Sequence, residues 1–475
     1  MARALLALFS LLAVACSGGN ALAPPTLEPL EITNDGTFFR DRMGRVVILR
    51  GATYTLTEGE APVGNFGGDG ERAIVDMERL GMNLVRLPLS WRQIEPRPRR
   101  FASYYFIERV DPVLRWAAAH GMAIVLSMRA WPYGACDEGD DSVPEWVCRT
   151  AARAARAARA SDSPTSADPA CAFWTARDPG GATLLDHYLD AWGVVARNYA
   201  GDPRVIGLDL IDEPSGTGCF EEKPFLHGIL TPFFRRLATN VRTFGYRNAI
   251  LFEPPVAPGA PLPSEARRLG FRTVYAPHLY GQRFGPGAQG LGPTYDVAAA
   301  QAKQLRAPLL IGEYGGDQPP DDTGYRGSSR AFVEESLAEL DRLRIGGAYY
   351  ALRPQSKESA RVEIGDVAYA LAHPYARRIA GIPLEMKFDQ ESRELRLHFE
   401  EDAKRKPPDP TEIYLPRPLY AGSFDVQVSP AGRWTYDQQS QRLLVYRGGS
   451  DDGTYEVVVR PGTESRSIDR SGPPR

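Results

Sequence analysis

The sequence predicts an α/β fold: a (β/α)8 TIM barrel followed by a small C-terminal β-sandwich. Three observations predict it. Short β-rich runs alternate with longer helical patterns from about residue 30 to 380, several of those runs end in a charged or aromatic side chain, and the helical pattern stops after about residue 382. Strands separated by helical crossovers build parallel sheets, and eight such units close into a barrel.

The expected barrel strands are Val46–Gly51, Asn83–Pro88, Ala123–Met128, Val205–Ile211, Ala249–Phe252, Thr273–Ala276, Leu309–Gly312 and Gly347–Leu352. Helical patterns over Gly70–Leu80, Phe106–His120, Leu184–Tyr199, Phe225–Phe244 and Arg330–Leu343 lie between them. A doubly wound open sheet is disfavoured, because no glycine-rich phosphate turn follows the first strand. The barrel is expected over 30–381, with an insertion near 135–180. Within that insertion TAARAARAARA (150–160) is expected as a short, exposed basic helix, solvated or acting as a lid or lipid-facing element. Short strands from Leu384–Phe388 to Thr454–Arg460 define a sandwich over 382–462, and 463–475, rich in Ser, Arg, Gly and Pro, is expected to be a disordered tail.

The composition is that of a chain with a real core: 43% of its 475 residues are apolar and 24% charged. Its 56 basic and 59 acidic residues leave a net charge of −3, which offers no basic field for nucleic acid. At the N-terminus, Arg3 precedes an apolar run from Ala4 to Ala15, too short for a membrane span but suited to the core of an export signal. Ala-Val-Ala-Cys at 13–16 resembles a bacterial lipoprotein signal, so 1–15 is expected to be removed, Cys16 lipidated and 16–29 a linker; an ordinary cleavage after Ala15 is the alternative. Either way the chain is expected to be exported, as a membrane-anchored lipoprotein or as a secreted or periplasmic protein. In an oxidising compartment Cys136, Cys148, Cys171 and Cys219 favour disulfides. Three pairings are possible; Cys136–Cys148 with Cys171–Cys219 is preferred, and the wide spacing lacks the pattern of a zinc site.

In a parallel barrel the side chains at the C-terminal strand ends converge on one mouth. Those ends carry Arg86, Asp212, Glu213, Glu253, His278, Tyr280 and Glu313. Hydrolysis of a glycosidic bond needs one neutral carboxyl group to protonate the leaving oxygen and one carboxylate to attack. Glu213 and Glu313, on strands four and seven, suit that pair at the ~5 Å spacing of a retaining enzyme. Such chemistry calls for no metal and no organic cofactor.

Several stretches resemble glycoside hydrolase family 5, and within it the endoglycoceramidase-like group: Arg50-Gly51, LGMNLVRLPLSWRQIEP (80–96), LDLIDEP (208–214), LFEP (251–254), PHLYG (277–281) and IGEYGG (311–316). TEIYLPRPLYAGSFDVQVS (411–429) resembles that group's C-terminal module. The resemblance implies Glu213 as acid/base, Glu313 as nucleophile, Arg86 as the cation that keeps Glu313 ionised, and His278 and Tyr280 as site-lining residues. Trp91 and Trp131 are candidate sugar platforms, although each also suits core packing. Glu253 is a further rim carboxylate without an assigned role.

Three positions depart from the family pattern. Asp212 stands where the family has Asn, and an ionised Asp can only accept hydrogen bonds. Ser127-Met128-Arg129 occupies the place of a third-strand His, and Tyr350 the place of an eighth-strand Trp. An Arg129–Asp212 ion pair would offset the two new charges. The expected function is a retaining β-glycosidase on carbohydrate or glycolipid, releasing oligosaccharide from ceramide. The alternatives are a β-glucanase or β-glucosidase of the same family, and a non-catalytic glycan-binding lipoprotein.

Overall fold

A computed structural model describes residues 31–32, 36–54, 69–129, 143–160, 169–255, 262–263, 266, 272–280, 290–316, 328–352, 365–420 and 423–462. The expected signal, Cys16, the linker up to residue 29, Trp131, Cys136 and the tail at 463–475 lie outside them.

The chain opens with three short strands, β1 (Glu31–Ile32), β2 (Phe39–Arg40) and β3 (Val46–Val47). It then enters the barrel through β4 (Arg50–Tyr54), β5 (Leu84–Leu89), β6 (Ala123–Arg129), β7 (Val205–Asp212), β8 (Ala249–Phe252), β9 (Thr273–Tyr275), β10 (His278–Tyr280), β11 (Leu310–Gly315) and β12 (Gly346–Leu352). These pair in the order β10-β11-β12-β4-β5-β6-β7-β8-β9, every pair parallel. The expected sixth strand is interrupted at Ala276-Pro277, so β9 and β10 are its two halves and nine segments make eight barrel strands. A parallel bridge between Tyr275 and Leu309 links this strand to its neighbour on the other side and closes the ring. Helices follow the strands in alternation, as in Leu184–Tyr199, where Thr183 and Asp186 form a reciprocal capping box.

Two apolar layers hold the barrel. Ile124, Leu126, Leu208, Leu210 and Ile311 face the helical shell. Leu84, Ala123, Ile206, Ala249 and Leu310, near the N-terminal strand ends, fill the floor of the barrel together with Phe39, Val47 and Leu49. The expected first strand, Val46–Gly51, is therefore split. Val46-Val47 pairs with β2 and with β13 (Tyr375–Ile379) outside the barrel, and the barrel strand starts at Arg50. An apolar run read as one strand serves two sheets, because the same side chains plug the floor while their backbone joins the neighbouring module.

That module comprises β13, β14 (Ile382–Phe388), β15 (Leu395–Glu400), β16 (Thr411–Tyr414), β17 (Phe424–Ser429), β18 (Arg433–Asp437), β19 (Arg442–Tyr446) and β20 (Thr454–Pro461), with β1–β3 added. A seven-stranded sheet, β1-β2-β3-β13-β16-β19-β18, packs on a four-stranded one, β14-β15-β20-β17. Alternate residues such as Leu395, Leu397 and Phe399 point into the shared core. The sandwich thus takes strands from both sides of the barrel, and the expected boundary at 381/382 gives way to a shared one. Tyr375 and Tyr414 donate from the sandwich to the carbonyls of Gly81 and Arg79 in the barrel. At Gly81 (φ 75°) any Cβ would meet the Tyr414 ring 2.4 Å away, so only glycine fits this junction.

The Ala/Arg run forms the second half of a helix, Glu145–Ala160. Ala151, Ala155 and Ala158 are buried while Arg153 and Arg156 are exposed, so this helix packs by its alanine face instead of standing free in solvent. A disulfide joins Cys171 to Cys219, as preferred from the sequence, and Cys148 is also disulfide-bonded.

Candidate active site

The C-terminal ends of β5, β7, β8, β10 and β11 bring Arg86, Asp209, Asp212, Glu213, Glu253, His278, Tyr280 and Glu313 into one buried cluster. Arg86 is its centre. Its Nη2 donates to Asp209 Oδ2 at 2.7 Å, Asp212 Oδ1 at 2.8 Å and Ser127 Oγ at 2.9 Å, with Glu253 Oε1 at 3.3 Å. Nη1 donates to Glu313 Oε1, and Tyr280 Oη donates to Glu313 Oε2. Both oxygens of Glu313 are thereby held, and one of them faces a fixed positive charge.

Glu213 sits across the mouth. One of its carboxylate oxygens, one of Glu313 and a ring nitrogen of His278 lie within 4.8 Å of one another. His278 Nδ1 is 3.0 Å from Glu213 Oε1 and 3.5 Å from Glu313 Oε2; its Nε2 is 2.8 Å from Glu253 Oε1, with the N–H pointing off that line. Glu213 follows the last residue of β7 and precedes Pro214 with φ 49°, in the left-handed region that a non-glycine residue enters at a cost. Its backbone N–H donates to Glu253 Oε2 at 2.8 Å, so Glu253 anchors the main chain at this turn.

Charge explains the protonation pattern. Five carboxyl groups, those of Asp209, Asp212, Glu213, Glu253 and Glu313, share one guanidinium and one imidazole. Burial, reinforced by Asp209, pushes Glu253 well above the usual carboxylate range against the pull of His278. Burial also raises Glu313, with Asp212 and Glu213 adding to it and His278 and Arg86 opposing. For His278, burial works against the charged ring, but the Glu253 and Glu313 carboxylates outweigh it and hold the proton well above the ordinary histidine range. Burial and Glu313 together keep the Tyr280 phenol protonated, as its role as donor requires.

Among the described residues, two groups have the spacing of metal ligands: Asp209, Asp212, Glu253 and His278, and Glu213, His278 and Glu313. The first encloses Arg86 Nη2, so a guanidinium already occupies the position a cation would take.

Of the residues singled out in the sequence, Arg86, Asp212, Glu213, Glu253, His278, Tyr280 and Glu313 meet here. Tyr350 joins at the rim, edge-on to Tyr280 with ring centroids 6.1 Å apart. Trp91 does not. It is fully buried, packs edge-on against Tyr188 at 5.1 Å and donates to Glu95, so it is a core residue and no sugar platform. Arg129 is in register with Asp212 on the neighbouring strand, but its side chain, and with it the expected ion pair, lies outside the described part of the chain. Asp209 and Ser127 were not singled out. An Asp inside the otherwise apolar strand VIGLDLI was the available signal, since a buried carboxylate needs a charged partner.

A parallel barrel whose mouth holds two facing glutamates, a buried arginine and a tyrosine on one of them defines a two-carboxylate glycoside hydrolase. Comparison with known proteins narrows the class. The family described as Cellulase (glycosyl hydrolase family 5) matches residues 49–356, and the glycoside hydrolase family 5 C-terminal domain matches residues 373–459. The chain belongs to glycoside hydrolase family 5, a family of retaining enzymes. It is 24% identical to endoglycoceramidase I of Rhodococcus hoagii (strain 103S), across 91% of this chain and 89% of that one. Endo-glycoceramidase II from Rhodococcus sp. superposes with a TM-score of 0.68 at 27% identity, covering 90% of this chain and 100% of the other. That enzyme has also been captured as a lactosyl-enzyme intermediate. An endogalactoceramidase shares the fold, with a TM-score of 0.66 at 23% identity over 92% of this chain and 100% of its own.

Proposed function

We propose that the chain is an endoglycoceramidase-like retaining β-glycosidase that releases the sugar part of a glycolipid, with Glu313 as nucleophile and Glu213 as acid/base. The observation that carries the catalytic assignment is the bridging of the two glutamates by His278, with Arg86 and Tyr280 donating to Glu313. Two donors favour the ionised, attacking form of Glu313. Glu213, facing it across the mouth, is the carboxyl group that must begin protonated.

In the first step Glu313 attacks the anomeric carbon while Glu213 passes its proton to the departing oxygen, giving a glycosyl ester and a free alcohol. In the second step Glu213, now ionised, takes a proton from water. That water attacks the same carbon, and Glu313 leaves as carboxylate. His278, holding its proton beside Glu213, stabilises the anion formed between the steps. The glycolipid substrate is supported by the similarity to endoglycoceramidases along most of the chain.

A second reading, a simple β-glucoside or β-glucan as substrate, is favoured by Tyr350 in place of a broader Trp floor. One experiment separates them: a panel of glycosphingolipids, aryl β-glycosides and β-glucans, with Glu313→Gln as control and the products identified by mass spectrometry. Release of intact oligosaccharide from ceramide by the parent alone supports the first reading. Turnover confined to glucans or aryl glucosides rejects it.

We further propose export, with Cys16 acylated; the Cys171–Cys219 disulfide supports an oxidising compartment. Mass spectrometry of the mature N-terminus tests this, and an unmodified residue there excludes the anchor.

A further inference from the structure

The segment that follows β5 leaves the barrel on the same face as the catalytic mouth. Ser90, directly after the strand, donates its N–H to Tyr105 Oη at 2.9 Å, which ties the start of the next helical segment to the level of the rim. Tyr105 and Phe106 point inward and are buried. Their neighbours do the opposite: Phe101 is 38% exposed, Tyr104 53% and Ile107 63%. Tyr104 and Ile107 stand one turn apart, and Phe101 directly precedes that turn. No other stretch of seven residues in the described chain exposes three large apolar side chains.

The surroundings are cationic. Arg97, Arg99 and Arg100 are all exposed. Arg99 reaches Asp190 only at 3.8 Å, while Arg97 and Arg100 have no ion-pair partner among the described residues. Glu108, exposed, is the one acid from 97 to 108. Beside this segment the Glu145–Ala160 helix begins, joined to it by the Arg92–Glu145 pair at 3.0 Å, and its Arg153 and Arg156 are exposed too.

Exposed aromatic and aliphatic side chains flanked by exposed arginines have one environment that satisfies both parts at once: the headgroup zone of an anionic bilayer. Apolar tips enter the acyl boundary while guanidinium groups stay among phosphates. We infer that Phe101, Tyr104 and Ile107, with Arg97, Arg99 and Arg100, form an interfacial docking surface that seats the mouth of the barrel on an anionic lipid surface. The surface is independent of the catalytic assignment, and also of any N-terminal acyl chain, which it would complement as a second contact.

The test uses the full chain carrying Cys16→Ser, so that no acyl group contributes, and unilamellar vesicles of phosphatidylcholine with or without phosphatidylglycerol. Sedimentation should show binding to the anionic vesicles that weakens as salt rises. Arg97→Gln/Arg99→Gln/Arg100→Gln should weaken it roughly a hundredfold, from about a fivefold loss per arginine. Phe101→Ser/Tyr104→Ser/Ile107→Ser should weaken it about tenfold or more. Hydrolysis of a soluble aryl glycoside and the melting temperature should stay at parent levels in both variants. Absence of binding, or binding by both variants equal to the parent, overturns the proposal. So does loss in the arginine variant alone with displacement by dextran sulfate, which would mark a polyanion contact without bilayer insertion.

Discussion

Glu253→Ala removes the side chain that anchors the acid/base turn. In the parent, Glu253 Oε2 accepts the Glu213 N–H at 2.8 Å and Oε1 lies 2.8 Å from His278 Nε2. Arg86 would keep Ser127, Asp209, Asp212 and Glu313 as partners, so the loss falls on Glu213 and His278. A buried donor left without its acceptor costs about 1–3 kcal/mol. Loss of the acceptor for the Glu213 N–H, at a residue already held at φ 49°, should remove about 1–3 kcal/mol of transition-state stabilisation, or roughly 10–10² in kcat/KM. Glu253→Gln keeps an acceptor for the Glu213 N–H and should stay within about tenfold of the parent. Neither variant retains the carboxyl group that holds a proton on His278. In both, the ring should lose its proton at lower pH, and the alkaline limb of kcat/KM should move toward acid. The assay is kcat/KM against pH on the best glycolipid or aryl glycoside, with melting followed by circular dichroism. An alanine variant within threefold of the parent would refute the anchoring argument. Equal losses in the two variants, with unmoved limbs, would show that Glu253 acts only as bulk.

Glu313→Gln should lower turnover by about 10³-fold or more while leaving the melting temperature unchanged or higher, since one buried like charge disappears; turnover equal to the parent would reject the nucleophile. Asp212→Asn retains an oxygen for Arg86 at 2.8 Å but removes a charge that raises Glu313, so the acidic limb of kcat/KM should move to lower pH, and a shift to higher pH would contradict the assigned coupling. Cys171→Ser opens a loop of 48 residues and should cost about 4 kcal/mol in denaturant unfolding, with reductant causing a loss at least as large in the parent, where the Cys148 disulfide opens too.

Much of this architecture was legible because local pattern and global fold agree. Alternating strands and helices dictated a parallel barrel, and the rule that strand ends face the mouth located seven of the clustered residues without coordinates. The unreadable parts share a physical cause: a side chain's period does not say what it faces. Val46-Val47 reads as strand in any sheet, and only the need to plug the barrel floor assigns its backbone to the sandwich. Trp91 lies one residue past Ser90 at the strand end, close enough in sequence to seem part of the mouth, yet its ring turns under the rim to meet Trp146, Phe173 and Tyr188. The Ala/Arg run looked solvated because alanine carries little hydrophobic signal, although a small side chain is what lets a helix approach its neighbour closely.

Asp209 joins these points to the chemistry. It is wholly buried at strand position 209, and its Oδ2 accepts from both Nε and Nη2 of Arg86, at 3.2 and 2.7 Å. Two donors on one acceptor fix the guanidinium plane from below, which directs the remaining Nη1 at Glu313. An arginine held this way is a rigid donor, and rigid donors need no reorganisation when charge moves in the reaction. The acidic residue at 212 fits the same logic. It adds to the negative charge around Arg86, which stays protonated far above its ordinary range because four carboxylates outweigh the cost of burial. The added charge also raises Glu313, so this carboxyl group ionises at higher pH than it would beside an asparagine. An Asp at this position therefore leaves the pair of glutamates intact and moves the pH range in which Glu313 is charged.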